Sequence, residues 1–539
     1  MKARVMPDTE TDIVIVGAGA SGCVVAGYLA EHTDARITLL EAGGADKDPF
    51  IKIPAGYAKL LEHDRHVWKY DTVPQYGTAR PYRSGKVMGG GSSVNALCYV
   101  RGQPRDYDEW NEAVGGEEDW SYAEMLRHFI AQECSDTFHN AYHGADGDMK
   151  IELTRHINPL NRLCVKAFQE YGLPYNVDYN GESQIGVSPV QTNIEAGRRC
   201  SAVDAYLRRH LQSGRVKAVT GITVTRVLIR EGQAYGVEYL AGGRSHRVLA
   251  RQVVLSAGAV QSPKILMHSG VGPREQLNAF GIPVKVEAPE VGENLQDHPI
   301  CCVRTYVRGK LGYQDICGGL GAAKAGLRYL LTRDGPIAGN GIETVSHWNP
   351  QDFTADPTVQ CYHVPVISED GLIPTGKRPG VTLEVVLLRP RSRGWVRLAD
   401  ANPDSMPLIN PNFMEDEQDL RDAVAAIRAA RSVMAQDALA QVTEEELAPG
   451  AAIQSDEEIA QWIRKVVNTM WHPVGTCRMG RDDRAVVDAR LRVKGVENLR
   501  VIDASIMPNI VSANTNAPCQ ALARKGAIML AEDYDARQN

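Results

Sequence analysis

No CxxC pair, no long basic run and no apolar leader occur in this chain of 539 residues. Its 11 cysteines are scattered and odd in number, so zinc ribbons and thioredoxin-like redox chemistry find no support. They read instead as small buried hydrophobes in a reducing compartment. A net charge of −7 lacks the footprint of a nucleic-acid binder. The N-terminal "MKARVMPDTETD" has no signal-peptide core, and the first apolar run, "IVIVGAGA", is too short and glycine-rich to cross a bilayer. The expectation is a cytoplasmic protein with no integral membrane segment. What remains is an ordinary globular composition, 43% hydrophobic and 23% charged, in a chain longer than one core normally serves. Two domains are expected.

The first informative stretch runs from Thr11 to Gly44, "TDIVIVGAGASGCVVAGYLAEHTDARITLLEAGG". Ile13 to Val16 read as a buried parallel strand. Gly17, Gly19 and Gly22 then form G-x-G-x-x-G ahead of a helix that buries Val24, Val25, Tyr28 and Leu29, and "ARITLLEA" is a second strand ending at Glu41. Gly17 makes the tight turn, Gly19 lets the backbone approach a pyrophosphate, and Gly22 lets the helix pack on the strand. The helix N-terminus presents free N–H groups to that anion. Glu41 is placed to accept from ribose hydroxyls, which leaves NAD or FAD.

Three later segments extend the pattern. "GKVMGGGSSVNALCYVRG", residues 85–102, suits backbone N–H groups facing an anion or a flat ring, and suits a mobile loop equally well. "RQVVLSAGAVQSPKILMHSGVG", residues 251–272, reads as strand, small-residue turn and a helix started by Ser262-Pro263. In residues 498–533 a short strand ends at Asp503 and a helix follows "ANTNAP".

With these segments in order, the chain resembles the glucose–methanol–choline (GMC) oxidoreductases, which bind FAD. The 85–102 segment looks like the first family signature, with Met88 where another aliphatic residue is usual, and "GAVQSPKILMHSGVG" fits the second. "VGENLQDH", "PRSRGWVRLAD" and "VIDASIMP" also resemble family segments. The resemblance implies an α/β, Rossmann-like FAD-binding domain and an α+β substrate-binding domain with an antiparallel sheet. The first would comprise residues 1–155, 195–305 and 462–539, and the second residues 156–194 and 306–461. "GVTLEVVLLRPRSRGWVRL" supplies strands for the second, and "EQDLRDAVAAIRAARSVMAQ" a helix with Leu420, Val424, Ile427 and Met434 on one face.

Carried over position by position, the resemblance puts Gly17, Gly19, Ala20, Ser21, Gly22, Glu41 and Ala42 at the ADP half and Val224 at adenine. Asn95 and Ala96 would sit at the flavin, Trp471 beside it, and Asp503 and Thr515 near the ribityl chain and ring edge. Trp68, Gly90, Ser92, Leu97, Cys98, Ala257, Ala504 and Asn514 complete the implied cofactor site. Val94 stands where some relatives carry a histidine bonded to the flavin, so FAD is expected to be non-covalent.

Oxidising an alcohol removes a proton from oxygen and a hydride from carbon; flavin accepts the hydride, and histidine suits the proton. The resemblance makes His472, in "WHPVGTCRMG", that base. Its family partner, His or Asn, follows about 44 positions later, at Asn516 here. Asn516 offers a donor and an acceptor to hold the hydroxyl. Pro473 would stiffen the backbone after the base. His298 reads as a packing residue, His63 and His66 as surface or rim residues rather than metal ligands, and "GPIAGNG" (335–341) as either a loop bordering the substrate cavity or a flexible surface loop.

The implied function is oxidation of a primary alcohol to an aldehyde, with O2 or a quinone-type compound taking the electrons. Some relatives use this fold as cyanohydrin lyases or as a flavin photoenzyme, and that alternative stays open. Substrate identity and oligomeric state are not encoded in any motif.

Overall fold

The computed structural model describes residues 9–369, 373–376 and 378–536. Strand Thr9–Val16 lies between Ile37–Glu41 and Arg244–Leu255 and is parallel to both. Val216–Thr220 extends the sheet beyond Ile37–Glu41, and Leu499–Val501 joins the last residues of Arg244–Leu255, again in parallel. Ile13, Val14, Ile15, Leu39, Val254 and Leu255 are all buried, as strands covered on both faces require. Gln233–Ala241 and Thr223–Arg230 continue the sheet antiparallel. The helices Ala20–His32 and Asn516–Ala536 pack against each other, although they come from opposite ends of the chain.

Two turns leave the carboxyl ends of adjacent parallel strands, one after Val16 and one after Leu255. In open α/β sheets this edge is where ligands bind. The second turn differs from expectation. Its helix spans Gly258–His268 and starts ahead of Ser262, so Pro263 lies inside it. Proline cannot donate to the carbonyl four residues back. Here Thr476 Oγ1 donates to that Ala259 carbonyl at 2.6 Å, which satisfies the group proline leaves free.

A second sheet is antiparallel throughout, in the order Thr443–Ala448, Pro299–Val307, Gly380–Leu387, Val359–Val364, Thr344–Trp348, Gly186–Pro189. The expected boundary at 305/306 falls inside Pro299–Val307, all of which belongs to this sheet. Helix Glu417–Met434 covers one face, burying Leu420, Val424, Ile427 and Met434 in a core shared with Val303, Leu383, Val385 and Cys361. Register and alternation put Cys302, Glu384, Tyr362, Val345 and Ser188 on the opposite face. Among the described residues, no helix is long and apolar enough to cross a membrane.

A short seventh strand, Asn468–Thr469, completes this second sheet. Thr469 and Asn468 pair with Pro299 and Ile300. Next to it, the Met470 N–H donates to the His298 carbonyl, and Gln296 and Val474 exchange both backbone hydrogen bonds. Residues 296–300 and 468–474, far apart in the chain, therefore run side by side.

Candidate active site

A cavity of ≈ 320 Å³ runs from the first glycine turn to residues 470–473. The expected cofactor residues line it, with two exceptions, and His472 and Asn516 line it too. Gly22 is one exception. A Cβ there would lie 1.9 Å from the Gly17 carbonyl oxygen, so this glycine serves helix-on-turn packing and not ligand contact. Ser92 is the other: its hydroxyl donates to the Gly89 carbonyl (2.7 Å) and accepts from the Ala202 N–H (3.0 Å) inside the fold.

At the first turn, Gly19 precedes helix Ala20–His32 with no side chain capping the free N–H groups. An ideal Cβ on Gly19 would meet nothing closer than 4.0 Å, and one on Gly91 or Gly258 nothing within 4 Å; all three border the cavity, so side chains there would enter it. Glu41 accepts from the N–H groups of Ala18 (2.9 Å) and Gly43 (2.7 Å), while burial pushes its carboxyl up to about 7. Asp503 holds the second turn. It accepts from the Gly258 N–H (2.9 Å) and Ser262 Oγ (2.6 Å) with one oxygen and from Ser505 with the other. Lys86 stacks its ammonium 3.8 Å from the centre of the Trp68 ring.

The Asn95 loop has an anchor that the motif reading did not identify. Arg199, buried behind it, donates to the Ile51 carbonyl (2.8 Å), the Ser92 carbonyl (3.1 Å), Asn95 Oδ1 (2.6 Å) and the Asn95 carbonyl (2.7 Å). Burial pushes its guanidinium down to about 9, with Tyr57 and Asp204 opposing. Asn340, in the "GPIAGNG" loop, donates to the Ala96 carbonyl (2.7 Å) and accepts from Tyr57 OH (2.9 Å) through its own carbonyl, so this loop touches cavity-lining residues.

At the other end, Trp471 has a left-handed φ of 57°, a rare conformation for a bulky residue, held by its N–H donating to Thr469 Oγ1 at 2.7 Å. The His472 N–H donates to Asp297 Oδ1 (2.9 Å), and Tyr82 OH donates to Asp297 Oδ2 (2.5 Å). Burial pushes Asp297 up to about 6. On the His472 ring, Nδ1 lies 2.9 Å from His298 Nδ1 and Nε2 lies 3.4 Å from Asn514 Nδ2. Asn514 Oδ1 accepts from Tyr362 OH (2.6 Å), a residue on the second sheet's inner face. The amide hydrogen-bonded to the ring is thus Asn514, while Asn516, at the first position of its helix, lines the same cavity. Burial, reinforced by His298, holds the His472 imidazole well below the usual range and so uncharged.

These features suit a dinucleotide with a flat ring: uncapped N–H groups for a pyrophosphate, a carboxyl for ribose, glycines where Cβ atoms would intrude, and a buried Trp471 Nε1–H with no partner among the described residues. Asp297 was not singled out and His298 was read as packing; both sit in a segment with a family resemblance, which gave no sign of their touching His472. Tyr362 and Arg199 carried no signal at all.

Comparison with known proteins agrees with this geometry. The GMC oxidoreductase profile matches residues 11–300 with its N-terminal part and 390–523 with its C-terminal part. The chain is 36% identical to an alcohol dehydrogenase (acceptor) of Pseudomonas putida, over 97% of this chain and 96% of that protein. It is 38% identical to human mitochondrial choline dehydrogenase, over 96% and 89%. The crystal structure of pyridoxine 4-oxidase from Mesorbium loti superposes with a TM-score of 0.88 at 32% identity, covering 97% of this chain and 99% of that one. With both halves of the profile matched and the fold shared end to end, the chain belongs to the GMC oxidoreductases and is an FAD-binding oxidoreductase acting on CH–OH donors.

Proposed function

We propose that this protein oxidises an uncharged primary alcohol to the aldehyde, with His472 as general base. The observation that carries the reading is an imidazole, in contact with His298 and Asn514, lining the same cavity as the two glycine turns. FAD, when bound, supplies the acceptor for the hydride. The glycine turns and Glu41 would hold its ADP half, Asp503 and Thr515 the middle, and Asn95 to Cys98 with Trp471 the ring. His472 Nε2 takes the hydroxyl proton, which lets the carbon hydrogen leave with its electron pair. Asn516 and Asn514 hold the alcohol oxygen.

Alcohols, choline and pyridoxine are the compounds named for the relatives. Among the described residues, the carboxylates lining the cavity are Glu41 and Asp503, and both are committed to backbone N–H groups. That favours an uncharged aliphatic or aromatic alcohol over a quaternary ammonium compound. The relatives' oxidoreductase activities do not favour a lyase or photoenzyme reading.

The test is an anaerobic screen of primary alcohols that follows flavin bleaching, with air then admitted. Bleaching by an uncharged alcohol supports the reading, and fast or slow reoxidation assigns O2 or another acceptor. Product without bleaching would overturn it. His472→Ala is expected to keep FAD and to slow bleaching by roughly 10²–10⁴-fold, the usual worth of a positioned base. A rate within a few-fold of the parent would remove His472 from the role.

A further inference from the structure

His298 is fully buried between two partners. Its Nε2 lies 3.1 Å from the Leu388 carbonyl oxygen, and its Nδ1 lies 2.9 Å from His472 Nδ1, with the two rings perpendicular at 89°. A carbonyl only accepts, so Nε2 must carry a hydrogen. Burial pushes the His298 ring down to about 4, against the Leu388 and Val511 carbonyls that hold it up, so at neutral pH it bears one proton and no more. Its Nδ1 is then a lone pair facing His472.

The consequence falls on the neighbouring ring. At 2.9 Å, His472 Nδ1 must supply the hydrogen for this contact. A neutral imidazole has a single N–H, so His472 Nε2 is left as the lone pair. Asn514 agrees with that polarity: its oxygen is taken by Tyr362 OH, and its NH2 is the group that approaches Nε2. The opposite tautomer would set two lone pairs against each other at 2.9 Å. Turning His298 over to relieve them would set its remaining lone pair against the Leu388 carbonyl. Among neutral rings one arrangement satisfies the His472, Leu388 and Asn514 contacts together.

We propose that His298 is a positioning residue that locks His472 in the Nδ1–H tautomer and so keeps Nε2 as the proton acceptor. The assignment deepens the reading of His472 as base and rests on it for its catalytic meaning. Asp297 supports it through the main chain, since it precedes His298 and binds the His472 N–H. A second histidine here does the orienting work that a carboxylate or carbonyl does for other catalytic imidazoles.

Two measurements test it. In the FAD-bound parent, two-bond ¹H–¹⁵N spectra of ¹⁵N-histidine protein should show the His472 hydrogen on Nδ1, with the signal identified by its absence from His472→Ala. A hydrogen on Nε2 overturns the proposal whatever the activity. In stopped-flow reduction without oxygen, His298→Leu, which removes the acceptor, should lower the limiting rate by about 10²-fold or more, since a wrong tautomer can lose up to ~10⁴. The substrate concentration for half-saturation should move little. His298→Asn, which keeps an oxygen near Nδ1, should recover most of the rate. Equal rates in parent and His298→Leu would sink the proposal while leaving the base assignment, which His472→Ala judges separately. If His298→Leu does not fold, the parent spectrum and His298→Asn decide.

Discussion

Single residues in this protein are governed by how deeply their charge is buried. Glu384, on the inner face of the antiparallel sheet, is 1% exposed, and burial pushes its carboxyl up to about 8, with Arg304 opposing. This lies above the ordinary 4.5, so the folded state holds the proton more tightly than the unfolded chain does. The associated stability is complete below pH 4.5 and is lost as pH rises through 8. By linkage the loss is on the order of 5 kcal/mol. Melting curves from pH 5 to 9 should therefore fall more steeply for the parent than for Glu384→Gln, with the variant the more stable at pH 9. Parallel curves would show that Glu384 is ionised in the fold. Arg199 shows the opposite sign: a buried cation held by carbonyl and amide oxygens, with no carboxylate hydrogen-bonded to it among the described residues.

Elements in the cofactor site are shaped by where a Cβ is forbidden. Gly19 and Gly22 belong to one motif, yet they answer to different constraints. A methyl on Gly19 would enter the cavity without touching the protein, whereas one on Gly22 would meet the Gly17 oxygen at 1.9 Å. Gly19→Ala should weaken FAD binding and leave the melting of FAD-free protein within about 1 kcal/mol of the parent, while Gly22→Ala should destabilise the FAD-free protein itself by 1–3 kcal/mol or more. Thermal melts with and without FAD, beside a flavin titration, separate the two. Equal effects on folding would contradict the division. The helix at Gly258 follows similar logic: its proline frees a carbonyl, and Thr476, far along the chain, takes it up. That contact ties the segment carrying His472 to the second cofactor turn.

At the scale of the whole molecule, the cavity is lined by segments drawn from residues 16–98, 222–265 and 470–519, so the cofactor is expected to brace the fold. Val94 lines the cavity and offers no nucleophile at the position where some relatives bond the flavin, so FAD is expected to dissociate. Acid precipitation should release the yellow colour into the supernatant, and protein stripped of FAD should melt lower and recover as FAD is added back. One-site linkage gives about 2.7 kcal/mol at a hundredfold excess over Kd. Colour that stays with the precipitate, or melting indifferent to added FAD, would contradict it.

The strand–glycine–helix unit at the front, the Leu420–Met434 helix and the family itself were readable from local pattern, because periodicity and turn chemistry are written in neighbouring residues. Spacing also brought His472 and Asn516 to one cavity. It could not bring out Asn514 as the ring's hydrogen-bond partner, Arg199 behind the Asn95 loop, or the helix start at Gly258 ahead of its proline. Nor could it show that His298, read as packing, faces the His472 ring. That contact is made by pairing between Pro299–Ile300 and Asn468–Thr469. Hydrogen bonds between segments so distant in the chain follow from strand register and burial, which leave no period in the amino-acid order and exist once the chain has folded back on itself.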